Sequence, residues 1–392
     1  MKILIINKNE YSGGSAQVCQ ELINGLEKRG HTVNFFVAKK ESTKKNVIPI
    51  YNHPFKKLAA YLTSNDLDYY YGEEITKTEE FKQADLIHFH NISGHFFKLA
   101  AIKKISQLKP IIWTFHDMNP ISHYFAYSFK RKPSLGLFTG FSPRRLSNLI
   151  WWNRPYLKLK KAAIYKNSEF RIVSPSRWLA GKISLSVLKN KKIRVINNGI
   201  DTKIFRPGDR KEARKKLGLP ENKKIILTVA DGGKNNVSKG WPFTEKLAKH
   251  FKEFFFINIG NKKERTKKNI KLIGKINNKT DLSQYYQAAD LLLLPSLIDN
   301  FPLVSLEALA CGRPVVTFRI GGIEEQIIHK ITGYLAKYKN TEDLIAGVNF
   351  IMNSNPKELS TRCRQEAENN FSSDLMTEKY LDIYKELLAA NS

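Results

Sequence analysis

The sequence has little cysteine, a shortage of acid and no long apolar run. Only 3 cysteines occur in 392 residues, at Cys19, Cys311 and Cys363. Their odd number and wide separation argue against a disulfide framework or a zinc cluster. A reducing, cytoplasmic setting is expected. No apolar stretch approaches the ~18 residues that a spanning helix needs. The longest, Ala288 to Leu297, is broken by Asp290 and Pro295. The apolar run Ile3 to Ile6 ends at Asn7. It is too short for the core of a signal peptide and is expected to form a buried first strand. No Cys/His ligand spacing recurs, so neither metal nor cofactor is expected. Acidic residues number 36 against 65 Lys and Arg, a net charge of +29. Such an excess implies an anionic partner, whether nucleic acid, an anionic membrane surface or phosphorylated substrates, although lysine-rich drift accounts for part of it.

What is present is alternation. The length suits two α/β domains, and 42% hydrophobic residues suffice for two cores. Residues 2–6, 32–38, 86–90, 111–115, 171–174 and 192–196 read as strands, with helices over 16–29 and 96–107. Residues 39–80 read as an irregular polar insertion. A linker rich in Gly and Pro, with one short helix, is expected over 205–221. A second series of strands follows at 224–230, 254–260, 270–273, 291–295 and 314–318, with a helix over 303–310 and a last one over 372–388. Helices between buried strands imply parallel sheets covered on both faces. No solenoid repeat and no low-complexity tail occur.

The most informative stretch runs from Pro295 to Val316. A buried strand ends at Pro295, a loop carries Asp299, a helix begins near Pro302 and carries Glu307, and Gly312 closes it before the next strand. Ligands bind at this end of parallel strands. The helix start offers unsatisfied N–H groups and a positive dipole end to a phosphate. One carboxylate before the helix and one inside it suit the paired hydroxyls of a sugar and a ribose. The bland alternative is a surface loop with two solvated acids.

Two acids eight positions apart, followed by Ala308-Leu309-Ala310-Cys311-Gly312, resemble the acidic motif of retaining GT-B glycosyltransferases of family 4. The resemblance implies two Rossmann-like domains facing across a cleft. An acceptor domain would span 1–200 and a donor domain 201–371, and a helix over 372–392 would cross back to the first. It places Asp299 on the donor sugar and Glu307 on the ribose, with Asn300, Phe301, Leu303 and Val304 lining the donor. The family usually has Glu first and a Gly-Phe-Gly turn; Asp299 is one methylene shorter and is followed by Asn300-Phe301-Pro302. Lys239, before Gly240, resembles the lysine that holds the diphosphate. The usual Arg is missing from Ala230-Asp231-Gly232-Gly233-Lys234, where Lys234 either substitutes or is simply solvated. Lys275 and Ile276, after Gly274, take the place that packs against the nucleobase. His116, in the pair His116-Asp117, takes the place of the histidine that lines the donor pocket. Gly13 and Gly14 occupy the loop that approaches the diphosphate, although a plain tight turn fits them as well. Gly321-Gly322 reads as a turn near the donor or an ordinary turn, with Glu324 and Glu325 opening a helix.

His88 and His90 point to one face of their strand, as core histidines or toward the cleft; a metal held by His88, His90 and His116 is a weak alternative. Residues 129–166 hold ten Lys and Arg, no acid, and aromatics such as Trp151 and Trp152. They read as a surface for an anionic membrane, as a solvated loop with inward aromatics, or as a grip on an acidic saccharide. The expected function is metal-independent, retaining transfer of a sugar from a nucleoside diphosphate donor to a saccharide or lipid-linked acceptor, in polysaccharide synthesis at the inner face of the membrane. The rivals are an epimerase of the same fold, which needs acid and base carboxylates on both sides of its cleft, and a nucleic-acid-binding protein, for which no motif is found.

Overall fold

The computed structural model describes residues 1–51, 54–63, 67, 70–93, 96–122, 154–230 and 232–390. The chain divides into two units, Met1–Ile196 with Lys379–Ser392, and Asn197–Glu378.

In the first unit seven strands form one sheet. They are β1 (Lys2–Ile6), β2 (Thr32–Val37), β3 (Val47–Pro49), β4 (Leu86–Phe89), β5 (Ile111–Thr114), β6 (Arg171–Ser174) and β7 (Ile193–Val195). The order is β3-β2-β1-β4-β5-β6-β7, and every pairing is parallel. All four residues of β4 and of β5 are buried, as a sheet covered on both faces requires. Leu4, Ile87, Phe89, Ile111 and Trp113 lie in its main core cluster.

The second unit has the strands β8 (Ile225–Val229), β9 (Phe255–Asn261), β10 (Arg265–Lys267), β11 (Ile270–Gly274), β12 (Leu291–Leu294), β13 (Val315–Phe318) and β14 (Gly333–Ala336). Their order is β10-β11-β9-β8-β12-β13-β14, with only the edge pair β10–β11 antiparallel. Chain order reverses direction at β8, which places a crevice at the carboxyl ends of β8 and β12. The all-leucine β12 is fully buried there.

Three expectations need correction. Residues 39–80 are not irregular: they hold β3, a helix Pro54–Thr63 and a 3-10 turn Glu73–Lys77. The polar residues that suggest a loop surround short elements, of which β3 forms the edge of the sheet. The helix expected over 96–107 begins only at Ala101, because Phe97 bridges to Tyr71 in an extended pairing instead. Glu324 and Glu325 lie inside a 3-10 turn, Gly321–Glu325, and open no helix.

The last helix, Ser373–Ala389, contributes its residues from Lys379 onward to the first unit. Tyr384 lies 2.7 Å from His88 Nδ1, and Tyr380 lies 2.9 Å from the Thr114 hydroxyl, all buried. Glu386 accepts from Arg194 at 2.6 Å and from Arg171 at 3.4 Å. Among the described residues no helix is long and apolar enough to cross a membrane.

Candidate functional site

In the second unit the acidic loop is built from backbone approach and one ion pair. β12 ends at Leu294, and the chain turns through Pro295 and Ser296 into Asp299. Gly240, φ 68°, packs so close that a Cβ would stand 1.9 Å from the Pro295 carbonyl oxygen. Gly321, φ 60°, is as tight: its Cβ would stand 2.0 Å from the Asp299 carbonyl oxygen. Only glycine permits both the conformation and the contact. The turn after β13 therefore lies directly against the acidic loop.

Lys239 precedes Gly240, and its ammonium donates to Asp299 Oδ2 at 2.6 Å. The Asp299 side chain is 9% exposed and that of Lys239 25%. Thus the Lys239 ammonium and the Asp299 carboxylate neutralise each other. Asn300 and Phe301 are buried, and Phe301 meets Phe371 edge-on, 5.8 Å between centroids. The helix Leu303–Ala310 starts with no side-chain cap, so its first N–H groups rely on other partners. Leu303 is buried and Val304 half-buried. Ser305 donates to Gln326 Oε1 at 2.6 Å and Gln326 donates to the Pro302 carbonyl at 3.0 Å, which fixes the helix start from behind.

Glu307 lies one turn into that helix and is buried. Its Oε2 accepts from the Tyr286 hydroxyl at 2.7 Å. Burial first, then the charge of Glu307, pushes the Tyr286 phenol well above its ordinary value, so it remains a donor. Sequence reasoning passes over Tyr286, because one tyrosine in a helix of mixed polarity carries no signal of its partner 21 positions away.

The other second-unit residues are less enclosed. Lys275 is exposed and Ile276 half-buried, beyond the end of β11. Lys234 is exposed on a 3-10 turn, Gly233–Asn235, and its backbone N–H donates to Asn261 Oδ1 at 3.3 Å. A small cleft is lined by Gly233, Lys239, Trp241, Thr244, Asn258 and Pro295, among others, but not by Lys234.

In the first unit Gly13 and Gly14 are exposed where the helix Gly14–Glu27 begins, and a Cβ at either would meet nothing within 4 Å. His116 follows β5, and its Nε2 lies 2.8 Å from His90 Nδ1. His88 Nε2 pairs with the Thr114 hydroxyl at 2.8 Å, and its Nδ1 with Tyr384. Both nitrogens of His88 are thus occupied by hydroxyls, which makes it a core histidine and removes it from any metal site. Lys161 is also not a surface cation: it is buried and donates to the Asn119 and Ser122 carbonyls, each at 3.1 Å. The basic segment between 129 and 153 lies outside the described residues.

Residues 12–204 match the family model Glycosyltransferase Family 4, and residues 209–370 match Glycosyl transferases group 1. The chain belongs to these glycosyltransferases. N-acetyl-α-D-glucosaminyl L-malate synthase of Bacillus anthracis is 24% identical over 391 residues, covering 96% of this chain and 94% of that protein. D-inositol 3-phosphate glycosyltransferase of Mycobacterium marinum is 26% identical over 221 residues, 52% of this chain and 47% of that one. Among solved structures, sucrose-phosphate synthase from Thermosynechococcus elongatus superposes with a TM-score of 0.76 at 18% identity, over 99% of both chains. Anabaena HepE in complex with UDP-glucose gives 0.69 at 17% identity, over 98% of this chain and 100% of that chain. The fold of this glycosyltransferase is GT-B.

Two outcomes follow for this glycosyltransferase. Replacing Gly321 by Ala should push the Asp299 backbone away and lower turnover at least tenfold, with a modest fall in melting temperature. Wild-type turnover in the variant would show that the close approach has no consequence. The second concerns pH. Burial pushes the His88 imidazole down to about 3 and that of His116 to about 4, and His90 well below its ordinary value. Burial raises Asp117 to about 6. Unfolded histidine binds its proton near pH ~6.5. As pH falls from there toward 4, the unfolded chain takes up protons that these rings refuse, and stability is lost. Asp117 acts in the opposite sense below pH 6 and offsets one histidine. Each net proton contributes a slope of about 1.4 kcal/mol per pH unit. Denaturant midpoints at pH 7 and pH 5 check this, and His88→Asn should flatten the difference.

Proposed function

We propose that this glycosyltransferase moves a hexose-type residue from a nucleoside diphosphate donor to a hydroxyl of a saccharide or lipid-linked saccharide, with retention and without a metal ion. The Lys239–Asp299 pair carries the reading: a lysine held at 2.6 Å by the acid beside an uncapped helix start. On donor binding the diphosphate takes the ammonium and the helix N–H groups, which stabilise the charge that develops on the leaving group. Asp299, released from the lysine, accepts from hydroxyls of the donor sugar. Glu307, aimed by Tyr286, accepts from the ribose hydroxyls, and Lys275 with Ile276 meets the base. In the first unit Gly13 and Gly14 leave open backbone for the diphosphate, and His116 binds the sugar.

Retention accords with the acidic motif, and the leaving phosphate takes the proton of the acceptor hydroxyl in this reading. Lysine and helix dipole replace the divalent cation that other transferases use. The one Asp-x-Asp sequence, Asp66-Leu67-Asp68, has both aspartates outside the described residues, and the chelator test below bears on it directly. The synthase from Bacillus anthracis is named for an N-acetylglucosaminyl product and HepE was solved with UDP-glucose, which favours a UDP-hexose donor here.

The test is a thermal-shift panel of UDP, GDP and ADP sugars, since a ligand bound only by the folded state raises the melting point. A UDP-hexose should give the largest rise, and Glu307→Ala should weaken it by about 1.5–3 kcal/mol of binding, the size of a charged hydrogen bond. Turnover of that donor should persist in excess EDTA. Abolition by EDTA with recovery on adding Mg²⁺ overturns metal independence, and a panel with no stabilising sugar nucleotide overturns the donor assignment.

A further inference from the structure

His90 directly follows β4 and is buried, yet its ring does more than fill space. Its backbone N–H donates to the Ile6 carbonyl at 2.9 Å, and its carbonyl accepts from the Trp113 indole at 2.9 Å. The His88 ring lies behind it at 4.1 Å between centroids, and the His116 ring stacks in front at 5.1 Å with 18° between planes. The imidazole therefore has one orientation, with Nδ1 on His116 Nε2 at 2.8 Å. Its other nitrogen, Nε2, is buried and has no hydrogen-bond partner among the described residues.

One proton lies between the two rings, and two arrangements are open. If His116 Nε2 donates, then His90 Nδ1 accepts and the His90 proton sits on Nε2, a buried N–H with no acceptor. If His90 Nδ1 donates, Nε2 carries only a lone pair. A buried unpaired N–H is the rarer and costlier of the two. Burial also keeps both rings neutral, so a doubly protonated ring does not intervene.

We propose that His90 is a positioning residue that donates through Nδ1 to His116 Nε2, holding the proton of His116 on Nδ1. The role in turnover rests on the reading of His116 as a donor-site residue; the tautomer does not. His88, closed off by the Tyr384 and Thr114 hydroxyls, serves as the backing that keeps the His90 ring from turning.

The tautomer is measured directly by long-range ¹H–¹⁵N correlation on the full chain with ¹⁵N-labelled histidine, His116 being assigned by the loss of its signals in His116→Asn. His116 should show a protonated Nδ1 and an unprotonated Nε2. His90→Asn, whose amide N–H stands where Nδ1–H stood, should keep that pattern, and His90→Leu should release it to a mixture. With the UDP-, GDP- or ADP-sugar that stabilises the protein most, His90→Leu should lower kcat about tenfold with little change in KM, and His90→Asn should restore most of it. A wild-type His116 protonated on Nε2 overturns the proposal even if no variant folds. So does a His90→Leu protein that keeps the wild-type pattern. If the pattern behaves as expected but His116→Asn and His90→Leu both turn over normally, the tautomer assignment stands and the place of His116 in the donor site falls.

Discussion

A carboxylate as enclosed as Asp299 has to be paired, because an isolated ion loses several kcal/mol of hydration on burial. Lys239 supplies the partner, and much of the local architecture serves to bring the two together. The lysine comes from the loop after β8 and the acid from the loop after β12, strands that are neighbours although their sequences are far apart. The loops can meet only because Gly240 and Gly321 carry no side chain. Each puts its backbone where a Cβ would strike a carbonyl oxygen of the acidic segment. The pair neutralises both charges where the two loops meet.

The two units solve the problem of buried polar groups in different ways. In the second, charged and amide groups are tied in short chains: Tyr286 to Glu307, Ser305 to Gln326, Asn261 to Asn258 to Thr228. In the first, neutral aromatic groups do the work. Tyr384, His88, Thr114 and Tyr380 form one buried run, and His90 with His116 another, the two touching through the tilted rings of His88 and His90. Burial in low dielectric keeps the histidines uncharged, so they act here as hydrogen-bonding groups rather than as ions. The long last helix is held by the first of these runs and by Glu386 on two arginines, which explains why its second half belongs with the first unit.

Much of this was legible in the sequence. Fully apolar runs such as Leu291–Leu294 and Ile111–Thr114 mark strands covered on both faces, and their alternation with helices marks parallel sheets. The strand, acidic loop, helix and Gly312 series carries its own punctuation, so Asp299 and Glu307 stand out before any coordinate is known. Less was legible where polar residues cover short elements. β3 has only three residues, too few for a period to register, whereas the helix Pro54–Thr63 does carry apolar residues at helical spacing (Phe55, Leu58, Ala59, Leu62) that the polar flanks on either side obscure.

Local sequence, through period, capping and turn residues, determined the class of fold, the order of the strands along the chain and the position of the acidic loop at a helix start. Only tertiary structure decided the partners. Nothing near residue 299 specifies Lys239, nothing near 307 specifies Tyr286, and alternation on β4 leaves His88 and His90 equivalent until one faces the hydroxyls of a distant helix and the other faces His116. The reason is physical. Backbone preference acts over a few residues, whereas pairing of a buried polar group depends on which atoms the folded chain brings within about 3 Å of it.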